Sequence, residues 1–137
     1  AGRFMIVVPA AMLPLELAAR LERARDYEQV HRAWSGDREA LLRTLVDRHP
    51  HDVTLRVRYA ENLLALGRPR DAAVEAWVAI RIDYFHLDAN IVLADAYTML
   101  GLYKPCLDVC NHYLRRVSYV FELAAIAEFA AQELAHA

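Results

Sequence analysis

The residues best suited to chemistry in this chain of 137 residues are Cys106, Cys110 and His112, which read Cys-x3-Cys-x-His. The cysteines lie four residues apart, so in a helix both side chains point to one face, whereas His112 points elsewhere. Tetrahedral zinc needs four ligands, and this spacing alone does not supply them. Free cysteines are among the most buried residue types, so we expect core packing, with a metal or redox site as the alternative. We predict no metal and no cofactor.

The other titratable residues do not form a recognisable catalytic arrangement. The histidines at positions 49, 51 and 86 fall between predicted helices, where we expect them to be solvated. Carboxylates such as Glu122 and Glu128 lie at helical spacing, but acid–base catalysis needs groups that converge across a cleft. The sequence has neither a glycine-rich phosphate loop nor a His-Glu-x-x-His zinc signature. We therefore predict that the chain is not an enzyme.

Composition and charge limit the kinds of partner that this chain can bind. The formal net charge is −2, which gives no general reason to expect binding to nucleic acid. Residues 82–137 carry 3 basic and 7 acidic side chains, and this acidic half favours a basic partner. No segment approaches the ~18 consecutive apolar residues of a membrane-spanning helix, so we predict no membrane span.

Composition also suggests a source and a compartment. Lys104 is the only lysine, and arginine with abundant alanine is typical of proteins from GC-rich bacterial genomes. Two thiols within one predicted helix favour a reducing environment, so we predict a cytoplasmic protein.

The spacing of apolar residues predicts an all-α fold of about seven helices. The first helix is predicted from Pro14 to about Trp34, after which Ser35-Gly36-Asp37 interrupts the chain and caps the second helix. The second helix is predicted to end at His49-Pro50, because the residue before proline disfavours the α region. The remaining helices are predicted at about residues 53–66, 69–82, 87–100, 103–117 and 119–137.

Gly67 and Gly101 lie 34 positions apart in matching surroundings. Residues 60–67 read AENLLALG, and residues 94–101 read ADAYTMLG. A period of about 34 is the spacing of a helix–turn–helix repeat. Such a unit cannot bury its apolar face alone and is stabilised by stacked neighbours. The repeat therefore predicts a binding surface rather than a reaction.

These two units resemble tetratricopeptide repeats (TPRs). The family places a small residue where the two helices of a unit meet, and Ala60 and Ala94 occupy that position. A second small residue, early in the second helix, is matched by Ala72 and Cys106. Helices approach to ~8 Å only where side chains are short, so packing supports the resemblance independently.

The resemblance implies a TPR-like superhelix of helical hairpins, divided along the chain as follows. An apolar arm occupies residues 1–13, and a single helical domain comprises a degenerate repeat at 14–52, repeats at 53–86 and 87–120, and a capping helix at 121–137. The arm is expected to be flexible or docked, with a trimmed signal peptide as the alternative. The degenerate repeat places its turn at Gly36. Arg56 and Asn90 depart from the family, which usually has an aromatic residue there.

In the TPR family the first helix of each unit faces a concave groove. The matching positions here are Val57, Glu61, Leu64, Asp88, Ile91, Asp95, Thr98, Met99, Glu122, Ile126 and Phe129. The carboxylate clamp of the family uses Lys, Arg and Asn, whereas this groove has Val57, Glu61, Ile91 and Asp95 at the critical places. The resemblance thus argues against a carboxylate clamp. An apolar floor with acidic flanks suits a helix or an extended peptide with basic flanks.

Most aromatic residues, among them Trp77, Tyr113 and Phe121, are expected to pack between helices. Tyr84-Phe85 is a further candidate contact site, because exposed aromatic residues often anchor interfaces.

The sequence as a whole predicts a non-enzymatic protein-interaction module, such as an adaptor, a scaffold or a small chaperone. One alternative is a bacterial type III secretion-type chaperone for an exported subunit, which the segment from Ile82 to Asp88 faintly resembles. Another is a scaffold that forms homo-oligomers, either through the apolar arm or by stacking of repeats.

Overall fold

The structure, a computed structural model, describes residue 26 and residues 35–137. Residues 35–137 belong to one compact unit and contain helices but no strand, which confirms the predicted all-α class. The helices are α1 (Ser35–Arg48), α2 (Val53–Ala65), α3 (Pro69–Ile82), α4 (Leu87–Met99), α5 (Tyr103–Arg116) and α6 (Phe121–Ala135). The predicted arm and first helix lie outside the described residues, except for Asp26, which is helical and buried.

The second helix begins at Ser35, so residues 35–37, which were predicted to interrupt the chain, are the first residues of α1. Gly36 lies in the first turn, before the interior positions where a glycine costs about 1 kcal/mol relative to alanine. Leu42 and Leu45, each 1% exposed, pack the rest of the helix into the core. The backbone at Gly36 is therefore helical, where the degenerate repeat was expected to have a turn.

Side chains cap the start of α2 and of α4. Asp52 Oδ1 accepts a hydrogen bond from the backbone N–H of Leu55 at 3.2 Å, at the start of α2. His86 Nδ1 accepts one from the backbone N–H of Ala89 at 3.2 Å, at the start of α4. Each cap satisfies one of the four N–H groups that a helix start leaves unpaired. The capping role of His86 was missed because histidine is not among the preferred cap residues.

The two glycines that define the repeat occupy equivalent turns. Gly67 and Gly101 have φ values of +73° and +70°, in the left-handed region that favours glycine. Around Gly67, the N–H of Gly67 donates to the carbonyl of Leu64 at 3.0 Å, and the N–H of Arg68 donates to Leu63 at 2.9 Å. The same pair of hydrogen bonds recurs 34 positions later around Gly101. Each turn thus ends one helix with a left-handed cap and begins the next.

The helices form two layers. Helix α4 contacts both α2 and α6 directly, whereas contacts among α1, α3 and α5 are at most sparse. We call the surface formed by α2, α4 and α6 the inner face and the surface formed by α1, α3 and α5 the outer face. The closer approach of the inner helices is the arrangement that curves a helical-repeat stack toward its inner side.

Small residues lie where the helices approach most closely. Ala60, Ala72, Ala94 and Cys106 are all 0% exposed, as the repeat pattern predicts. One core cluster joins α2, α3 and α4, and a second joins α4, α5 and α6. Helix α4 is shared by both clusters and therefore links the two halves of the stack.

Arg56 and Asn90, which depart from the family pattern, each form polar contacts between elements. Arg56 Nη1 lies 2.8 Å from Glu75 Oε2 and so joins α2 to α3. Asn90 Nδ2 donates to the carbonyl of His86 at 2.8 Å and to that of Tyr84 at 3.3 Å. Because Asn90 is only 6% exposed, its amide requires such partners, and it fixes the α3–α4 turn to α4.

Candidate partner-binding groove

All eleven predicted groove residues lie on the three inner helices. On each helix they recur at three- and four-residue steps, so they form one stripe per helix. The stripes are residues 57, 61 and 64 on α2, residues 88, 91, 95, 98 and 99 on α4, and residues 122, 126 and 129 on α6. Because α2, α4 and α6 contact one another in that order, the stripes are neighbours.

The apolar surface of the groove comes mainly from α4 and α6. The side chains of Met99 and Phe129 are 53% and 43% exposed, so both offer apolar surface to a partner. Ile91 and Ile126 are half-buried and pack against the second core cluster. The Phe129 ring lies 6.0 Å from the ring of Tyr103 in an edge-to-face arrangement, which fixes its position.

The structure places two predicted groove residues in other roles. Val57 is 3% exposed and belongs to the first core cluster, so it offers no contact surface. The Thr98 hydroxyl donates to the carbonyl of Ala94 at 2.9 Å and lies 3.3 Å from Cys106 Sγ. These contacts tie the hydroxyl to α4 and α5. Leu64 is half-buried against the same cluster as Val57.

The carboxylates of the groove differ in their surroundings. Burial raises the pKa of Asp95, and the negative charge of Glu122 on the neighbouring helix raises it further. Asp88 is exposed in the first turn of α4. Glu61 lies 3.5 Å from Arg58, so its charge is partly compensated. The uncompensated negative charge is therefore concentrated on α4 and α6.

The approach of Asp95 and Glu122 was missed by the sequence analysis, which found no carboxylates paired across a cleft. The two residues lie on different helices, and only the α4–α6 contact brings them together. Two carboxylates with no basic residue in the same stripes give this part of the groove a negative charge.

The thiols of Cys106 and Cys110 are packed in the core. Both cysteines are 0% exposed, and Cys106 Sγ lies 3.4 Å from the carbonyl of Ala94. The hydrogen bond with Cys106 and burial both raise the pKa of Cys110, which keeps this thiol protonated. Across the described part of the chain, no three His, Cys, Asp or Glu side chains converge to hold a metal ion.

The outer face carries a cleft that the sequence analysis did not predict. A cavity of about 240 Å³ lies between α3 and α5, above Asn90 and Leu93 of α4. Trp77 lines this outer cleft and is 51% exposed, although it was expected to pack between helices. The same expectation is wrong for Phe121, which is 76% exposed, whereas Tyr113 is buried.

The repeat period offered a signal for this cleft. It places the second helices of adjacent units side by side, and His112 follows Trp77 by only one residue more than that period. Only a comparison of equivalent positions in the two units indicates the cleft, because each aromatic residue taken singly fits ordinary packing between helices.

The chain has the fold of a TPR domain. It is similar to the first TPR of Spaghetti (RPAP3), solved bound to the HSP90 peptide SRMEEVD (TM-score 0.72, 14% identity, covering 85% of this chain and 95% of that one). The first TPR domain of human RPAP3, solved by NMR, matches with a TM-score of 0.73, 14% identity and coverage of 86% and 93%. The TPR2B domain of yeast Sti1, in a complex with pHsp70, matches with a TM-score of 0.66 and 21% identity, covering 84% of this chain and 94% of that one.

At these identities the likeness establishes the fold alone. No protein-family model and no curated protein sequence matches the chain. Among the helices that the structure describes, each is too short or too polar to cross a lipid bilayer.

Proposed function

We propose that this chain is a non-enzymatic protein-interaction module that binds a segment of a partner protein along its inner face. The observation that carries the proposal is the exposed stripe on α4 and α6, where Met99 and Phe129 lie beside Asp95 and Glu122. The fold supports it, because two similar domains were solved in complexes with HSP90 peptide and pHsp70.

Apolar contacts supply most of the affinity in this proposal. Met99 is flexible and polarisable, which suits a surface that adapts to a partner. Phe129 adds a large flat contact area with few rotatable bonds. Together with the half-buried Ile91 and Ile126, they form a floor on which one apolar side of a partner segment packs.

Charge sets the orientation and the kind of partner. Asp95 and Glu122 repel each other, and an arginine or lysine of the partner placed between them relieves that repulsion. None of the eleven groove positions is basic. The proposed ligand is therefore a segment with apolar residues and basic flanks, not an acidic peptide ending in a clamped carboxylate.

Selection from a library of random peptides displayed on phage tests the proposal. We expect the enriched peptides to combine apolar residues with lysine or arginine. Met99→Glu places a charge on the apolar floor and should weaken their binding at least about tenfold, as measured by fluorescence anisotropy. Val74→Glu is the matched control, because Val74 is 61% exposed on the outer helix α3.

Two outcomes contradict the proposal. In one, Met99→Glu and Val74→Glu bind the selected peptides equally well, which shows that the inner face is not the site. In the other, the enriched peptides are acidic and their affinity is unchanged in Asp95→Asn with Glu122→Gln. Glu128→Gln, on an exposed position of α6, controls for the loss of one negative charge.

A further inference from the structure

The outer cleft has the dimensions and the lining of a site for one large apolar side chain. Its lining is mostly apolar, with Ile80 on α3, Val109 on α5 and Leu93 at the base. Three polar residues also line it, namely Asn90, Asp108 and His112. Its volume of about 240 Å³ lies below the roughly 300–1,000 Å³ that is typical of pockets for small molecules and cofactors. Trp77 and Tyr84 stand at the cleft and remain 51% and 53% exposed.

An ordered group of rings forms one side of this cleft. The Tyr84 ring lies 5.3 Å from His112 and 4.8 Å from Phe85, both edge-to-face. Phe85 stacks on His112 with an angle of 10° between the rings. Asn90 holds the carbonyl of Tyr84. Exposed aromatic side chains that are already held in place lose little conformational entropy on binding. Aromatic residues of this kind often supply most of the binding energy of an interface.

Positive charge adjoins the cleft along α5. A second cavity of about 340 Å³ is lined by Lys104, Arg115 and Arg116, together with Asp108 and His112, which both also line the outer cleft. Lys104 pairs with Asp108 at 2.9 Å. Within residues 35–137, neither Arg115 nor Arg116 forms an ion pair. Cations in the last turn stabilise a helix, and their guanidinium donors remain available to a ligand.

His112 connects the apolar and the charged parts of this surface. Its Nε2 atom is buried and has no hydrogen-bond partner in the described part of the chain. Buried polar atoms are nearly always paired, so this nitrogen is an unusual feature of the surface. A carboxylate of a ligand beside the His112 ring would face the two arginines.

We propose that the outer cleft is a second protein-binding site, which takes an acidic segment carrying one large apolar residue. The apolar side chain enters between Trp77 and Tyr84, and the carboxylates of the segment lie along α5 against Arg115 and Arg116. The inner groove is acidic where this surface is basic, so the two sites select partners of opposite charge. This proposal stands on residues that the inner groove does not use, and it does not depend on that groove.

An NMR titration of the full chain with a synthetic peptide tests the proposal. The peptide has one central phenylalanine flanked on both sides by glutamates. We expect the indole signal of Trp77, assigned with Trp77→Phe, and the ring signals of His112 to shift, while the methyl signal of Met99 stays in place. A lysine-flanked peptide and a glutamate peptide with serine at the centre should leave the Trp77 indole unchanged.

Matched variants separate the two parts of the site. The double variant Arg115→Glu with Arg116→Glu should weaken binding of the glutamate peptide at least about tenfold at low salt. The control variant Arg58→Glu with Arg70→Glu, on exposed positions of α2 and α3, should leave the affinity unchanged. Trp77→Ser should abolish the shifts at His112. Phe121→Ser, at a residue that is 76% exposed on α6, should leave them intact.

The proposal is overturned if the Trp77 indole does not move at about millimolar peptide, or if the lysine peptide moves it equally. It is also overturned if the shifts localise to Met99, which assigns the peptide to the inner groove. A Trp77 signal that changes with protein concentration in the absence of peptide identifies a second copy of the chain as the occupant instead. Trp77 is half exposed, so Trp77→Ser removes no core residue and is expected to fold.

Discussion

The inner face and the outer cleft are surfaces of the same stack of helices, but they differ in charge and in shape. The inner face is open, and Asp95 and Glu122 bring negative charge together across α4 and α6. The outer cleft is a depression between α3 and α5, and Arg115 and Arg116 line the neighbouring cavity. The two proposed sites therefore favour partners of opposite charge.

The difference shows how one helix can serve two surfaces. Helix α4 presents Ile91, Asp95 and Met99 toward the inner face, while Asn90 and Leu93 form the base of the outer cleft. Its neighbours on both sides leave six of its residues buried, so the helix has little freedom to move. Substitutions on α4 can thus be chosen to alter one surface and to spare the other.

The largest effect is expected for Leu93→Ala, which removes the base of the outer cleft. Leu93 is 0% exposed, and such a truncation leaves a cavity that lowers the free energy of unfolding by about 2–5 kcal/mol. Urea denaturation followed by circular dichroism measures the change. Leu102→Ala, at a residue that is 46% exposed, should have an effect of less than about 1 kcal/mol. Equal effects of the two substitutions would show that Leu93 is not part of the core.

A smaller effect is expected for Asn90→Leu, which separates the aromatic turn from α4. The carbonyls of Tyr84 and His86 lose a donor, and we expect the free energy of unfolding to fall by about 1–3 kcal/mol. The NMR signals of the Tyr84 and Phe85 rings should broaden or shift, whereas that of Met99 should not. Unchanged ring signals would show that Asn90 does not hold Tyr84 and Phe85 in place. Asn111→Leu, on α5, is the control substitution.

Gly101→Ala strains the turn that leads from an inner helix to an outer helix. A Cβ atom at Gly101 meets no atom within 4 Å, so the penalty comes from the positive φ value alone. We expect a loss of about 1 kcal/mol, and a loss of the same size for Gly67→Ala. Thermal or urea unfolding of the two variants compares the turns. A clear difference between them would show that the two repeats are not equivalent at this position.

The smallest effect concerns Asp95 on the inner face. Burial raises the pKa of Asp95 above its ordinary value of 3.8, so the native state binds this proton more tightly than the unfolded state does. Ionisation then lowers stability as the pH rises through the native pKa. Asp95→Asn should therefore raise the free energy of unfolding at pH 7 slightly, because the half-buried carboxylate is screened by solvent, and have no effect at pH 3.

Urea unfolding at the two pH values measures this difference. Glu128→Gln, on α6, should change stability little at either pH. A stabilisation by Asp95→Asn that is equally large at pH 3 would exclude ionisation of Asp95 as its cause.

The sequence was sufficient to predict the helices wherever local signals agreed with packing. The glycines at positions 67 and 101, the cap at Asp52 and the apolar spacing all act within one or two turns of a helix, so they can be read directly. Gly36 shows the limit of such signals. It suggested a turn, but its backbone is helical because it lies in the first turn of α1.

The surfaces were less predictable, because they depend on how helices are placed side by side. The 34-residue repeat period identified the stripes of the inner face. It did not predict that Val57 is buried in the core while Met99 is exposed. The outer cleft combines Trp77, Tyr84 and His112 from three separate elements. Each of these residues is unremarkable alone, and only their juxtaposition makes a site.

The matching turns at Gly67 and Gly101 also bear on how this chain can change in length. Both turns use the same hydrogen bonds and nearly the same φ value. A whole 34-residue unit inserted at either turn would meet compatible ends, and it would add one inner helix and one outer helix in register. The inner groove would lengthen and a further outer cleft would form. An inserted single helix would instead place every following helix in the wrong layer.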